Sequence, residues 1–524
     1  MTETELIWGP PGTGKTTSLI GRVEDELARG VEPDLIGYFS FTRAAANEAK
    51  KRAMLKFPAI KQERLVHFRT LHSEAFRLLH WTRDKMLAGK HLREFSKQWR
   101  YDISDPNFQD DNIEDHEMRE GVFRSLGDWL LHFHSWRHNI MMGIEEAFSQ
   151  FCYRNEPPMA EWSLDQTTLF ESRYEEFKKA KGLLDFEDLI EVCLEQGLRP
   201  NLDVLVLDEA QDSSPLQYRF LDLLLTGVKR HYIGGDPNQA IYGFMGTDPA
   251  LFEGRPRDKE TLLQQSWRLP RRVHQLATQI VPCPTYFPRD EEGLVEMASL
   301  GATLEDVDLY PGTIFILVRN RYVLDQVIRT LYSYGMPFDN LRGKAPFKGT
   351  TAQKLLHMRK LLRGEKINVG ELHQLIDKIT PQTKYFVRGF KSQIRGLYRD
   401  TPYLSITLNT IRDKLLPAFL GDPFQTLDIN DERKAYFIRV IKRYGEKVLL
   451  DTPRTLIGTI HSVKGMEADW VAVMSEMSRR TFEGAERLPE EEARVWYVGA
   501  TRARQGLFLV PAPEGRYEWQ WPTW

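Results

Sequence analysis

Short apolar runs alternate with amphipathic stretches along this chain, and the alternation predicts parallel sheets covered by helices. Leu6-Ile7-Trp8 ends the first apolar run, and Thr17 to Val23 follows with helical spacing. Leu35-Ile36-Gly37-Tyr38-Phe39-Ser40-Phe41 reads as a second buried strand. It leads into an Ala-rich helix from Thr42 to Lys50, with Thr42 as its N-cap. Val66 to Ser73 reads as a short strand and turn before another helix. Strands this apolar are buried on both faces, and helices connecting parallel strands provide that cover.

The alternation then breaks. From about Trp81 to Gly182 the chain is rich in Trp, His, Arg and acidic residues at roughly helical spacing, which reads as a helical insertion. Strands resume with Leu202-Asp203-Val204-Leu205-Val206-Leu207, ending in Asp208-Glu209-Ala210-Gln211-Asp212, and with His231 to Asp236.

Composition adds limits. With 524 residues the chain is too long for one core, so three or four domains are expected. At 41% hydrophobic and 28% charged it is an ordinary globular chain. No apolar run approaches a membrane span, and a signal peptide is not expected because the first strand begins at the N-terminus. Cys152, Cys193 and Cys283 are far apart and form no C-x-x-C, which argues against zinc ribbons and iron–sulfur clusters and for a reducing, cytoplasmic setting. The net charge of −3 means that any nucleic-acid contact must come from local patches or stacking. Residues 101–120 carry eight acidic side chains against Arg119 alone, a solvated face. Residues 341–400 carry fourteen Lys and Arg against four acidic residues, the charge expected of a phosphate-contacting surface. His132, His134 and His138 suggest a metal, but no carboxylate or Cys is placed beside them, so a metal site is not expected.

The chemistry begins at Gly9-Pro10-Pro11-Gly12-Thr13-Gly14-Lys15-Thr16, between the first strand and the first helix. This fits G-x-x-x-x-G-K-[ST] in its required context. Glycines let successive backbone N–H groups line one concavity for phosphate oxygens, and the helix N-terminus adds its dipole. Lys15 is placed for the β- and γ-phosphates and Thr16 for Mg²⁺. Asp208 would hold the same ion opposite Thr16, and Glu209 would orient and deprotonate an attacking water. Gln239 follows another strand end as a candidate phosphate sensor. Tyr242 and Phe244 stand two residues apart, as a base-stacking platform would need.

The ordered set GPPGTGKT, FSFTRAAANEA, TLHS, DFEDLI, LDEAQD, GDPNQAIYGF, SWR, TIHSVKGMEADWV and WYVGATRAR resembles the UvrD/Rep-like branch of superfamily 1 helicases, from Gly9 to Arg504. The resemblance implies an α/β fold of two RecA-like P-loop domains with parallel sheets, each carrying a mainly helical insertion. The first motor would be residues 1–79 and 185–265, with 80–184 inserted. The second would be 266–362 and 452–524, with 363–451 inserted, and would use the strands Thr313 to Val318 and Trp470 to Val473. ATP would bind between the motors.

Residue roles follow from the same resemblance. Lys15, Glu209, Gln239, Arg268 and Arg502 would be catalytic, the two arginines as fingers from the second motor. Gly9 through Thr17, with Trp267 on adenine and Glu467 on ribose, would bind ATP, and Thr16 and Asp208 would hold Mg²⁺. Phe41, His72, Tyr242, Phe244, Thr459 and His461 match positions that contact single-stranded DNA. The implied activity is ATP-driven 3′ to 5′ movement on single-stranded DNA with duplex unwinding. The implied partners are single strands and single-strand/duplex junctions, with the basic stretch at the duplex. A monomer acting with a replication or repair protein is expected. An RNA-directed motor of the same superfamily and a nucleotide-switched DNA-binding or loading protein are the alternatives.

Three departures stand out. Only eight residues precede Gly9, so the family's upstream glutamine motif is not expected in its usual place, which leaves adenine to Trp267. Thr17 stands where relatives often have Arg, and Phe244 replaces a usual Trp. No fused nuclease domain is expected after the last motif. The aromatic tail Trp519 to Trp524 is expected to lie on the second motor.

Overall fold

The computed structural model describes residues 3–41, 43–58, 60–103, 125–157, 162–305, 309–341, 351–377 and 379–523. The expected cap Thr42, the acidic run from residue 104 onward and residues 342–350 of the basic stretch lie outside the described residues.

Two six-stranded parallel sheets organise the described chain. The first contains β1 (Glu3–Trp8), β2 (Ile36–Ser40), β3 (Phe68–Arg69), β4 (Val204–Asp208), β5 (Arg230–Gly235) and β6 (Lys259–Leu262), in the order β3-β2-β4-β5-β1-β6. β2 and β4 are buried along their whole length, as their unbroken apolar runs require. Because neighbouring strands run parallel, the ends of β1, β5 and β4 open on one edge. Gly9, Asp236 and Asp208 are therefore brought together there.

Next in chain order come β7 (Leu294–Met297), β8 (Ile314–Val318) and β9 (Phe338–Asn340), then a short antiparallel pair, β10 (Ile367–Asn368) and β11 (Ser405–Ile406). They are followed by β12 (Thr455–Thr459), β13 (Ala468–Met474), β14 (Glu476–Met477), β15 (Ala503–Val510) and β16 (Tyr517–Glu518). The second sheet has the order β7-β15-β13-β8-β12-β9. The aromatic tail, as far as it is described, lies on this half. β16 pairs with β14, Trp519 stacks on buried Trp496 with centroids 5.6 Å apart, and Trp521 Nε1 donates to Ser475 Oγ at 2.8 Å. No helix among the described residues is long and apolar enough to cross a membrane.

The helices Gly89–Trp99, Leu126–Ile140, Ile144–Asn155 and Leu164–Lys181 build cores of their own around Phe95 and Tyr174 and around Trp129 and Phe133. Another core, with Leu372, Phe390 and Phe419, forms beside β10 and β11. The end of that second helical region behaves differently. Phe424, Tyr436, Phe437, Val440 and Leu449 pack with Ile316 and Phe508 of the second sheet. The second sheet's core thus takes in side chains that chain order alone assigns to the insertion.

Two of the three histidines of Leu126–Ile140, His134 and His138, have the carboxylate neighbours that no local sequence pattern indicated. His134 Nδ1 lies 3.3 Å from Glu171 and its Nε2 3.5 Å from Asp185, while His138 Nδ1 meets Glu191 at 2.6 Å. His134, His138 and Glu175 are close enough to share an ion. Fixed cations already hold Glu171, Glu175 and Asp185. Lys178 Nζ is 2.7 Å from Asp185, 2.8 Å from Asp188 and 2.9 Å from Glu175, and Arg137 is 2.6 Å from Glu171. The cluster fastens the insertion to the returning helix Phe186–Gln196, capped by Asp185, and DFEDLI supplies two of its acids, Asp185 and Asp188. Burial opposes charge on His138, but Glu171 and Glu191 outweigh it and hold its pKa up at about 10. His132 stands apart, buried against Phe151, and burial pushes its pKa down to about 3.

Candidate nucleotide cleft and strand track

The phosphate loop follows β1 directly, and its conformation needs glycine at two positions. Gly12 and Gly14 have φ of 75° and 86°, and Gly14 caps the helix Lys15–Ala28. A Cβ on Gly12 would lie 2.3 Å from Arg268 Cβ, so the loop also needs glycine there to meet the segment Ser266–Arg268. Ser266 Oγ donates to Pro11 O at 2.7 Å, and Trp267 N donates to Gly12 O at 2.8 Å. Gly9, Pro10 and Thr13 complete the loop, with Thr13 Oγ1 donating to Pro10 O at 2.8 Å. Thr17 is exposed, and Arg52 reaches its hydroxyl at 3.4 Å.

Lys15 Nζ meets Glu209 Oε2 at 2.9 Å, and Thr16 Oγ1 donates to Asp208 Oδ2 at 2.8 Å. Tyr38 Oη donates to the same carboxylate oxygen at 2.9 Å. Burial and then Glu209 raise the pKa of Asp208, so this carboxylate gains from any cation beside it. Burial works against charge on Glu209 too, but Lys15 and then Lys464 overcome it and hold its pKa near 2. Glu209 has φ 56°, left-handed backbone at a non-glycine residue, which turns the chain sharply beyond β4.

The opposite wall comes from more than 200 residues downstream. Arg502 is 1% exposed. Its Nη2 donates to Gln239 Oε1 at 2.9 Å, and its Nε donates to Val498 O at 2.9 Å. Burial and then Arg268 pull its pKa down to about 9. Two guanidiniums here face each other's field, a strain that an anion between them relieves. Arg268 Nε donates to Glu467 Oε2 at 2.8 Å, and Arg504 also reaches Glu467 at 3.2 Å. Trp267, between Ser266 and Arg268, is 70% exposed and presents an open ring beside the phosphate loop.

Sequence reasoning missed the residues that join these groups. Lys464 Nζ donates to both oxygens of Asp212 and to the backbone carbonyl of Gln239. Gln211 donates to Glu209 at 2.6 Å and accepts from Asp236 N at 2.9 Å, and Gln239 Nε2 donates to Asp236 at 2.6 Å. Lys464 and Asp212 both lie inside motifs already quoted. Their pairing was the part without a local signal.

The predicted strand contacts divide. Phe41, Tyr242, Phe244 and His461 form one aromatic row. Phe41 and Tyr242 stack at 5.0 Å, and Phe244 meets His461 at 5.8 Å. Thr459, partly exposed, ends β12 just before His461. Tyr242 differs from expectation. It is 1% exposed, with Phe41 stacked on it and Lys464 5.0 Å from its ring, so both faces are covered and it packs beneath the row. The cause is that the second sheet's core, including Val463 and Val495, packs onto Ile241 and Tyr242. His72 lies on the helix Leu71–Leu78 and meets Phe186 edge-on at 6.2 Å, outside the row. Burial, with Arg43, pushes its pKa down to about 4.

Two parallel sheets, one bearing a phosphate loop and the other supplying arginines to it, define a two-domain RecA-like fold. The UvrD/REP helicase N-terminal domain matches residues 1–259, and the UvrD-like helicase C-terminal domain matches residues 425–513. The chain belongs to the UvrD/Rep helicase family. It is 25% identical to the ATP-dependent DNA helicase UvrD2 of Mycobacterium tuberculosis, over 95% of this chain and 75% of that protein. It is 26% identical to a probable DNA helicase of Mycoplasma pneumoniae, over 64% of this chain and 63% of that one. It is 25% identical to the ATP-dependent DNA helicase PcrA of Staphylococcus epidermidis, over 53% and 37%. The chain spans only 32% of the length of a putative ATP-dependent DNA helicase of Bacillus subtilis and 39% of a probable DNA helicase II homolog of Mycoplasma pneumoniae.

Proposed function

We propose that this chain is an ATP-hydrolysing motor that moves 3′ to 5′ on single-stranded DNA and separates duplex ahead of it. The observation that carries the reading is the 2.9 Å bond from Arg502 to Gln239. It joins an arginine that follows the second sheet's last helix to a glutamine beside the phosphate loop, so a γ-phosphate there would report to both motors. Membership in a family whose named relatives are ATP-dependent DNA helicases supports ATP and DNA as the substrates.

In this reading residues 1–79 with 185–265 and residues 266–362 with 452–524 act as the two motors, and 80–184 and 363–451 as their insertions. Gly9 to Thr17 wrap the phosphates, Trp267 stacks on adenine and Glu467 turns from Arg268 to the ribose. Glu209, already ionised by its neighbours, accepts the proton of the attacking water. Arg268 and Arg502 stabilise charge on the phosphoryl group in flight. Thr16 Oγ1 and Asp208 Oδ2, 2.8 Å apart, are the oxygen donors that suit Mg²⁺. When bound, that ion neutralises phosphate charge. Phe41, Phe244, Thr459 and His461 hold the strand, with His72 at its margin. The surface of 351–400 meets the duplex. A monomer acting on cytoplasmic DNA with a replication or repair protein completes the proposal.

The test is ATP turnover with DNA or RNA single strands, together with displacement of a labelled strand from substrates with a 3′ or a 5′ tail. DNA-stimulated turnover and unwinding from 3′ tails are expected. Unwinding from 5′ tails alone overturns the polarity. Stimulation by RNA alone overturns the substrate. Turnover that no strand stimulates points to a loading switch instead.

A further inference from the structure

The first insertion does not stand free of the second motor. Arg154, near the end of the helix Ile144–Asn155, donates to Glu491 Oε2 at 2.7 Å. The backbone carbonyl of Asn155 accepts from Arg480, and Arg487 pairs with Glu156 at 2.8 Å. The Arg480 guanidinium also lies 4.2 Å from the ring centre of Trp129, a buried residue of the insertion. These contacts join residues more than 300 positions apart. They also rest on the first motor, because a Cβ at Gly243 would lie 2.6 Å from Glu491 Oε2 and 2.9 Å from Arg154 Nη2.

Residues of these contacts line a cavity of about 320 Å³. Its walls come from all three parts. The insertion supplies Trp129 and Arg154, the first motor Ile241 and Phe244, and the second motor Tyr322 and His461. Phe244 and His461 belong to the aromatic row described above, so the cavity is continuous with the strand track. The lining combines aromatic faces with arginines, the composition that suits bases and backbone phosphates of a single strand.

We propose that Arg154, Asn155 and Glu156 of the insertion, with Arg480, Arg487 and Glu491 of the second motor, form a clasp that encloses the single strand. The inference rests on the strand-binding function proposed above and adds a topology to it. A strand inside the closed clasp leaves only by sliding off an end or by the clasp opening. Each link is an ion pair, a cation–π contact or one hydrogen bond, and none is an apolar core. The clasp can therefore open without unfolding either part.

Cross-linking tests this directly. Arg154→Cys and Glu491→Cys are introduced together with Cys152→Ser and joined by a short bis-maleimide. The protein is bound to circular or linear single-stranded DNA before joining, then challenged with high salt, which weakens phosphate contacts about a thousandfold or more. The expected result is retention on circles at least about tenfold longer than on linear strands. Protein joined before DNA is added should bind linear strands and fail on circles. Equal release from both, or binding of circles by the joined protein, overturns the clasp. Before joining, the double-cysteine protein and the wild type are both assayed for strand binding. If neither binds any strand, the proposed function falls and the clasp with it. If both bind and only the topological result fails, the clasp alone falls. A second arm exchanges the charges. Arg154→Glu and Glu491→Arg should each shorten retention on circles, and the double exchange should restore it. Equal behaviour of single and double variants counts against the pair.

Discussion

Lys464 Nζ lies 2.6 Å from Asp212 Oδ1 and 2.5 Å from Oδ2, a lysine just beyond the second sheet's β12 seated on a carboxylate just beyond the first sheet's β4. The same ammonium donates to the Gln239 carbonyl and lies over Tyr242, beneath the aromatic row. The proposed nucleotide side and the proposed strand side of the cleft therefore meet at one buried charge.

Lys464→Met removes that charge and leaves Asp212 buried. Breaking such a pair costs about 3–5 kcal/mol, here of the closed arrangement. Burial already lifts the pKa of Asp212 to about 7, so proton uptake by the variant softens the loss. Strand-stimulated kcat should fall at least about tenfold while KM for ATP moves less, and Lys464→Arg should recover part of it. An unchanged kcat argues against the link.

Arg502→Ala and Arg268→Ala should lower kcat by about a thousandfold or more with a smaller change in KM, as expected of groups that act on the moving phosphoryl group. Arg502→Lys should recover little, because one ammonium cannot bond Gln239 and Val498 with the geometry of the guanidinium. Steady-state ATPase assays check both.

Trp267 and Tyr242 should behave oppositely on truncation. Trp267→Ala removes an exposed ring, so stability should move by no more than about 0.5 kcal/mol while nucleotide affinity falls about tenfold. Tyr242→Ala empties a buried position and should cost about 3–5 kcal/mol of stability. Denaturant unfolding and nucleotide titration separate the two.

Phe244→Ala should weaken single-strand binding by about 1–3 kcal/mol, read by fluorescence titration at fixed salt. Because Phe244 is only partly buried, its loss should cost less stability than that of Tyr242.

The histidine cluster predicts a pH dependence. The folded pKa of His138 is raised to about 10 from an ordinary 6.5, so its contribution is complete below about pH 6.5 and is lost as pH rises towards 10. The stability gap between wild type and His138→Gln should be widest near pH 6 and close near pH 10. A constant gap would mean that packing, and not charge, holds the cluster.

Much of the fold was legible because its signals are local. Buried strands such as β2 and β4 are continuous apolar runs, and the phosphate loop needs its glycines, Lys15 and Thr16 in consecutive order. The helical character of the described parts of 81–182 was equally readable from spacing. The carboxylates around His134 and His138 were not, because Glu171, Asp185 and Glu191 lie on other helices and no period of one helix points to another. The burial of Tyr242 was not legible for a related reason. Exposure depends on what the second sheet lays over a residue, and the sequence near Tyr242 is the same either way.

The chain by itself determined its local pattern: which residues form the glycine-rich loop, which acids end β4, and which family the ordered motifs resemble. Tertiary structure alone decided the pairings across the cleft, Arg502 with Gln239, Lys464 with Asp212 and Arg154 with Glu491. The physical reason is distance along the chain. Contacts between side chains 200 to 340 residues apart are set by how two sheets and an insertion dock, and docking depends on the summed shape of buried surfaces that no short stretch of sequence encodes.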